Sequence, residues 1–207
     1  MEPFKTLVSV AVPIDIANCD TDQIIPARFL RRGKDDPEYP RFLFHDLRFN
    51  EDGSEKDFVY NKAPYCEGRI LVADVNWGCG SSRENAVTAL VANDIRSIIA
   101  PSIADIHYNN CIKNGVLPIR LTEDSCAKLR KQLREHPGAE VAIDLETQSV
   151  TGPNRSMYSF DLDSFDKYRL LNGLDDVGLT LELDNKIDAF RAQYQLKHSW
   201  ANGHKIE

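Results

Sequence analysis

The chain has 207 residues, a formal net charge of −7 and a hydrophobic fraction of 42%. A chain of this length fits one domain, residues 1–207, that buries enough apolar surface to fold without disulfides or a structural metal. The acidic balance argues against non-specific nucleic-acid binding, which depends on Lys and Arg neutralising phosphates. Because no apolar run approaches the ~18 residues of a membrane span and no signal-peptide core follows Met1, we expect a cytoplasmic protein that binds neither nucleic acid nor membranes.

The number and spacing of the cysteines exclude some kinds of metal and disulfide site. They number five and include no Cys-x-x-Cys pair; they are Cys19, Cys66, Cys79, Cys111 and Cys126. An odd, dispersed set argues against a disulfide framework and against a self-contained zinc or iron–sulfur site. We therefore expect reduced thiols and no metal bound by this chain alone.

The first part of the chain mixes one clear strand with irregular segments. Alternating apolar residues predict a strand over residues 6–16, and a polar turn follows at 18–23. A helical or irregular turn is expected at 27–32 and a short amphipathic helix at 40–49. Residues 51–61 contain an Asp-Gly pair and are expected to form a surface excursion.

Strands and helices then alternate, which favours a parallel sheet flanked by helices over residues 69–121. The predicted elements are a strand at 70–75, a helix after the following loop, a strand at 97–100, a helix at 103–113 and a strand at 116–121. A further helix opens at Thr122 and ends near residues 136–138. Short strands are predicted at 139–144, 149–150 and 158–162, with C-terminal helices from about residue 163, at 165–172 and 186–194. Residues 198–207 are expected to fray.

The loop after the strand at 70–75, here called the central loop (residues 76–83), has the composition of an anion site. Backbone N–H groups at the start of the next helix lack intrahelical partners and carry the positive end of its dipole. Arg83 adds a planar guanidinium that matches a carboxylate or phosphate. The spacing fits no dinucleotide fingerprint, P-loop or hydrolase elbow. A structural interpretation stays equally open, in which Ser81 and Glu84 form a capping box and Arg83 is a surface charge.

Three sequence blocks, in order over residues 4 to about 125, carry a family resemblance. The blocks are Asn18-x-Asp20-Thr21-Asp22-x-Ile24-x-Pro26; Gly78-Cys79-Gly80-Ser81-Ser82-Arg83-Glu84; and Ala100-Pro101-Ser102-Ile103-Ala104-Asp105-Ile106 with Asn109-Asn110 and Asn114-Gly115-x-Leu117-Pro118. Together they resemble the small subunit of 3-isopropylmalate dehydratase, the swivelling domain of the aconitase superfamily. The resemblance implies an α/β fold, a three-layer β/β/α swivelling domain with a mixed sheet and a central strand-loop-helix site.

The same resemblance implies an iron–sulfur hydro-lyase made of two chains. A large subunit would hold a 4Fe-4S cluster, and this chain would close over it to interconvert 2- and 3-isopropylmalate in leucine biosynthesis. Ser81 takes the place of the hydroxyl that acts as the base, and Asp22 stands where the superfamily places an acid. Arg83 is expected to bind a substrate carboxylate, with Gly80 and Ser82 beside it.

Elementary chemistry agrees with these roles. A serine hydroxyl is a weak base in water, so it needs backbone N–H donors, a nearby cation and a dry, closed site. Loss of the substrate hydroxyl needs a Lewis acid, and this sequence offers no metal cluster of its own. One chain alone is therefore expected to be inactive.

Substrate identity is less well defined by the sequence. The family usually has His where this chain has Asn85, so a related small subunit for another di- or tricarboxylate, such as homoaconitate, citraconate or maleate, stays open. Residues 27–32 lie where family members differ in selectivity. Arg28 or Arg31 would read a second carboxylate, and Phe29 or Leu30 would touch the substrate's alkyl group, although plain packing is the favoured role of Phe29 and Leu30. A non-catalytic carboxylate-binding or regulatory protein is the alternative of another class, against which Ser81, Arg83 and Asp22 together argue.

Neighbouring residues receive structural roles. Trp77 is expected to pack the strand end, and Cys79 to fill the tight turn rather than act as a nucleophile. His45 and His107 lie in helical patterns without a second ligand at helical spacing. We expect both to be satisfied local donors, not metal ligands.

Overall fold

The computed structural model describes residues 1–33, 35–198 and 200, and within them seven strands form one continuous sheet. The strands are β1 Thr6–Pro13, β2 Ile70–Val72, β3 Ser97–Ala100, β4 Leu117–Arg120, β5 Glu140–Asp144, β6 Ser149–Thr151 and β7 Met157–Ser159. The α-helices in these ranges are α1 Thr21–Ile24, α2 His45–Arg48, α3 Glu84–Ala92, α4 Asp105–Lys113, α5 Glu123–Glu135, α6 Ser164–Asn172, α7 Asp176–Leu181 and α8 Asp184–Lys197.

The sheet has the strand order β4-β3-β2-β1-β5-β6-β7 and is mixed. Strands β1 to β4 pair in parallel, with Ala11 opposite Ile70 and Ile99 opposite Ile119. Strand β5 pairs antiparallel with β1, and β6 and β7 continue the antiparallel part. The α/β class, the mixed sheet and the parallel arrangement over residues 69–121 are therefore confirmed.

Apolar side chains alternate between the two faces of the parallel strands, which is why every residue of β2 and β3 is buried. Leu71 and Ala73 join a core under α3 and the aromatic residues of segment 39–65. Ile70 and Val72 join a second core under α5 and α6. Parallel strands covered on both faces read as continuous apolar runs, as this sequence does.

The single helix predicted at residues 40–49 is wrong. A 3-10 turn at Tyr39–Phe42 and the one-turn helix α2 replace it, because Phe44 between them has a left-handed backbone with φ of 53°. Its fully buried ring packs against Phe58 and Trp77. Side-chain burial thus overrides the local helical pattern.

Two further differences lie outside the central sheet. The polar turn at 18–23 contains α1, whose capping box joins Asp20 and Gln23. Near the C-terminus, α6 and α8 match the predicted helices, whereas α7 was not predicted. The predicted fraying of residues 198–207 falls almost wholly outside the described residues. Among the helices within them, none is long and apolar enough to cross a membrane.

Candidate active site

The carboxyl ends of β1, β2 and β3 bring three loops to one edge of the sheet, as parallel strands require. The central loop lies between the first loop (residues 14–24, which include α1) and the third loop (residues 101–104). Parallel bridges join Asp20 to Cys79 and Trp77 to Ile103. The N–H of Gly78 donates to the Cys19 carbonyl at 2.7 Å. The first two sequence blocks are therefore in direct contact.

Trp77 and His107 form a buried floor under the central loop. The Trp77 N–H donates to the Ser102 carbonyl at 3.0 Å, and its own carbonyl accepts from Ala104 at 2.9 Å. Its indole Nε1 donates to Nε2 of His107 at 3.2 Å. Trp77 is fully buried, so its predicted packing role is confirmed.

His107 differs from its predicted role as a satisfied donor. Its Nε2 accepts a hydrogen bond, and its Nδ1 has no partner among the residues that the structure describes. Burial lowers the pKa of His107 to about 4. The imidazole is therefore neutral near pH 7, with its proton on Nδ1.

Two glycines shape the central loop for different reasons. Gly78 has a φ of 69°, and a Cβ there would lie 2.3 Å from Cγ of His107, so no side chain fits. Gly80 has a φ of 93°, but a Cβ would lie 3.4 Å from Cβ of Asp20, its nearest neighbour. Gly78 is needed for space and conformation, and Gly80 for conformation alone.

The outer part of the central loop is open and sparsely bonded. Ser81 and Ser82 are exposed, and neither hydroxyl makes a hydrogen bond within the described ranges. The Ser81 N–H donates to Oγ1 of Thr21 at 3.2 Å. A free hydroxyl thus lies on a backbone that the neighbouring loop holds.

The predicted alternative of a Ser81–Glu84 capping box is wrong. Helix α3 has Arg83 at its N-cap position and no side-chain cap hydrogen bond. The Glu84 carboxylate instead accepts from Nδ2 of Asn114 at 3.1 Å. The N–H groups of Glu84 and Asn85 have no partner in the described ranges and consequently stay available to an anion, whereas that of Ala86 donates to the Arg83 carbonyl at 3.4 Å.

Arg83 and Asp22 form an ion pair across the two loops. The contact joins Nη1 of Arg83 to Oδ1 of Asp22, which also accepts from the Ala27 N–H at 3.2 Å. The Arg83 hydrogen bond is the main reason that the pKa of Asp22 is lowered, so this carboxyl is ionised near pH 7. Nε and Nη2 of Arg83 have no partner in the described part of the chain and can bind a further anion.

The other predicted substrate-binding arginine, Arg28, lies in a separate set of contacts. Its guanidinium binds both carboxylate oxygens of Asp46, with Nη1 to Oδ2 at 2.9 Å, and contacts Nδ1 of His45 at 3.1 Å. Phe29 stacks on Phe42 with ring centroids 4.2 Å apart, as expected for a packing residue. The structure does not bond Arg28 to the central loop, and its substrate role stays a prediction.

Asn85, on the first turn of α3, is partly buried and makes no side-chain hydrogen bond to any residue that the structure describes. Its position beside Arg83 and Glu84 places it at the base of the open part of the central loop. The structure therefore assigns Asn85 no role in holding the loop.

Arg130, a residue of α5 that is 7% exposed, was not predicted from the sequence. Its guanidinium donates to the Ala73 carbonyl at 2.6 Å, to Asp15 Oδ1 at 2.8 Å and to Asp74 Oδ2 at 3.0 Å. Arg130 therefore ties the end of β1 to the end of β2, where the first and central loops begin. An arginine at helical spacing from the apolar Cys126 and Leu133, within the helix predicted after Thr122, was the available signal.

The donor set of this chain does not fit an iron–sulfur cluster. Within the described ranges, no three His, Cys, Asp or Glu side chains are grouped as a metal site would require. Cys19, Cys111 and Cys126 are buried, and burial raises the pKa of the Cys19 thiol to about 12. Cys79 contacts the Asn18 carbonyl at 3.5 Å, which fits its predicted role in the turn.

Comparisons with known proteins place the chain in a family. Residues 1–124 match the family model of the aconitase C-terminal domain, and residues 127–164 match the model LeuD_N. The chain is 48% identical over 202 residues to the 3-isopropylmalate dehydratase small subunit of Brucella canis, covering 97% of this chain and 100% of that protein. The corresponding Rhizobium johnstonii protein is 46% identical over the same coverage.

A solved structure shows the same fold. The 3-isopropylmalate dehydratase LeuD of Methanocaldococcus jannaschii superposes with a TM-score of 0.63 at 26% identity, covering 90% of this chain and 99% of that chain. This match confirms the predicted swivelling-domain fold class. The chain therefore belongs to the family of 3-isopropylmalate dehydratase small subunits, within the aconitase superfamily.

Proposed function

We propose that this chain is the small subunit of a hydro-lyase that interconverts 2-isopropylmalate and 3-isopropylmalate by dehydration and rehydration in leucine biosynthesis. One observation carries the proposal beyond family membership. The central loop and the start of α3 present a free Ser81 hydroxyl, a helix N-terminus without a side-chain cap, and an Arg83 guanidinium of which only Nη1 is bonded. These are the groups that a dicarboxylate and a proton transfer need.

In this proposal, Ser81 removes the carbon-bound proton and later returns it. The ionised Asp22 holds Nη1 of Arg83, which turns the remaining N–H groups of the guanidinium toward a substrate carboxylate. Gly80 and Ser82 line the same approach to the carboxylate. The positive guanidinium and the helix N-terminus both favour the anionic form of Ser81, and their effect grows when water is excluded.

The openness of the loop supports the proposal that this chain supplies half of an active site. A serine base at an exposed position is too weak, so a second surface must cover it. We propose that this surface belongs to a large subunit, which carries the 4Fe-4S cluster and takes the substrate hydroxyl. We further propose that residues 1–207 act as one domain and that the pair works in the cytoplasm.

The test is to reconstitute the purified chain with the large subunit from the same organism. We expect conversion of 2-isopropylmalate only when both subunits are present, and no stoichiometric iron in the small subunit alone. Conversion by this chain alone, or a 4Fe-4S spectrum from it, would overturn the split-site proposal. Because Asn85 departs from the family pattern, homoaconitate, citraconate and maleate are assayed in parallel. A clear preference for one of them would identify that acid, and not isopropylmalate, as the substrate.

A further inference from the structure

We propose that His107 is a positioning residue for the central loop, which it holds through the indole of Trp77 and the backbone of Gly78. This inference rests on the proposed function, since it concerns the loop that carries Ser81. His107 itself is 2% exposed and lies beneath the loop, so it is not placed in contact with substrate.

The contacts of His107 converge on two consecutive residues of the loop. Its Nε2 accepts the indole N–H of Trp77 at 3.2 Å, and the two rings meet edge to face with centroids 6.4 Å apart. Its Cβ, Cγ and Cδ2 atoms leave no room for a side chain at Gly78. No other described side chain makes a hydrogen bond to the Trp77 indole.

The acceptor matters because the indole N–H is buried. A buried donor without a partner costs free energy, and a side chain in that position moves to find one. Trp77 cannot move freely, since its backbone is bonded to Ser102 and Ala104. Loss of the acceptor would therefore displace the indole against its neighbours and shift the backbone that leads into Gly78.

A shift at Gly78 is transmitted directly to the reactive part of the loop. The N–H of Gly78 is fixed to Cys19, and the next contacts with the first loop are those of Cys79 and Ser81 with Thr21. Ser81 is three residues from Gly78 along the chain. A displacement of about 1 Å at a reacting group can cost up to ~100-fold in rate, so a small movement of this floor suffices to impair turnover.

The variants separate the hydrogen bond from ring packing. His107→Phe keeps an aromatic ring but removes the acceptor, whereas His107→Gln keeps an acceptor near the position of Nε2. The double variant Trp77→Phe/His107→Phe removes donor and acceptor together, so no unpaired donor remains, and the phenyl ring fills less space than the indole. If His107→Phe does not fold, His107→Asn takes its place, because its shorter side chain does not reach the indole N–H at the position of Nε2.

The first measurement uses the reconstituted pair. His107→Phe is expected to lower kcat at least ~10-fold, with KM and complex formation changed less than ~3-fold. His107→Gln and the double variant are expected to regain kcat to within ~3-fold of wild type. A kcat near wild type for both His107→Phe and His107→Asn, or no recovery in either rescue variant, would overturn the proposal.

The second measurement uses hydrogen exchange of the isolated chain and needs no substrate. We expect the amides of residues 76–82 to exchange at least ~10-fold faster in His107→Phe or its replacement than in wild type, with those of β3 unchanged. Equal exchange at 76–82 would overturn the positioning role. An inactive wild-type pair would overturn the proposed function instead, and the exchange result would still decide the role of His107.

Discussion

The inner and outer halves of the central loop differ in burial and in hydrogen bonding. In the inner half, residues 76–78, Trp77 and Gly78 are buried, and their backbone hydrogen bonds to described residues all join the loop to a neighbouring segment. In the outer half, residues 80–83, both serines are exposed and their hydroxyls are free within the described ranges. A mutation in the inner half should therefore change stability as well as turnover, whereas one in the outer half should change turnover with little effect on stability.

This contrast shows how one short segment serves both folding and function. The buried half gains from packing and satisfied hydrogen bonds, which hold the backbone in one conformation. The open half keeps the donors and hydroxyls that a partner and a substrate can complete. Rigid support beneath uncommitted polar groups is the arrangement that preorganised catalysis needs.

The largest effect is expected for Gly78→Ala. A positive φ costs a non-glycine residue about 1–3 kcal/mol, and forcing a Cβ against the His107 ring adds about 1–3 kcal/mol. We expect a loss of roughly 3–5 kcal/mol in the free energy of unfolding of the isolated chain, measured with urea.

Gly80→Ala is the matched control for Gly78→Ala. The new Cβ has space, so only the backbone conformation is penalised, and we expect a loss of about 1–2 kcal/mol. Equal losses for the two alanines would show that the inner half is no tighter than the outer half.

The second effect is the pH dependence of stability that comes from His107, the residue packed beneath the inner half. The pKa of His107 is lowered from its ordinary 6.5 to about 4, so between these values the unfolded chain binds a proton that the folded chain does not. Stability is therefore complete above pH 6.5 and falls by about 1.4 kcal/mol per pH unit on acidification. The loss should approach roughly 3 kcal/mol near pH 4.

Chemical unfolding of wild type and His107→Gln at a series of pH values measures this contribution. Carboxyl groups also titrate near pH 4, but they are common to both proteins and cancel in the difference. The wild-type curve should fall more steeply than that of the glutamine variant between pH 6.5 and 4. Parallel curves would mean that His107 takes up its proton without loss of stability.

The third effect tests the outer half. Ser81→Ala should lower kcat of the reconstituted pair at least ~100-fold, about 2.7 kcal/mol of transition-state stabilisation. The free energy of unfolding should change by less than about 0.5 kcal/mol, because the hydroxyl is exposed. Ser82→Ala makes the same atomic change one residue away, and we expect it to raise KM more than it lowers kcat. Near-normal turnover by Ser81→Ala would remove Ser81 from proton transfer.

The smallest effect is expected for the Arg83–Asp22 ion pair as a source of stability. Asp22 has an exposed side chain, so Asp22→Asn should change stability at pH 7 by less than about 1 kcal/mol. Because its pKa is lowered in the folded chain, the contribution is present above the unfolded pKa and is lost as the pH falls through the folded value. Unfolding measured at low and at high salt should show the difference shrinking with salt; a larger, salt-independent loss would assign the pair to folding.

The central part of the fold was predictable because its signals are local. The runs in β2 and β3 are short, apolar and each preceded by an arginine, and α4 ends at Lys113 as predicted, just before Gly115 with a φ of 77°. The segment at 40–49 was not predictable from local pattern. Its break depends on Phe44 meeting Phe58 and Trp77, which are distant in sequence and are brought together only by the complete fold.

In the candidate site, too, some features were predictable from the sequence and others depend on contacts made only in the complete fold. Ser81, Arg83 and Asp22 were identified by family resemblance, and adjacency of parallel strand ends explains why the first and central loops meet. The Arg83–Asp22 contact spans 61 residues, and the Trp77–His107 contact spans 30. Neither contact can be predicted from sequence periodicity, because each depends on the order of the strands in the sheet and on the conformation of the loops that follow them.

Arg130 has a consequence for exchanging parts between relatives. The three loops lie within residues 1–124, whereas Arg130 lies in the segment that matches a different family model. A chimera joined between these segments would separate Asp15 and Asp74 from the guanidinium that neutralises them. The two carboxylates would then repel each other where β1 and β2 lead into the first and central loops. A junction after α5, or one that carries an arginine at position 130, is the one that preserves the geometry of both loops.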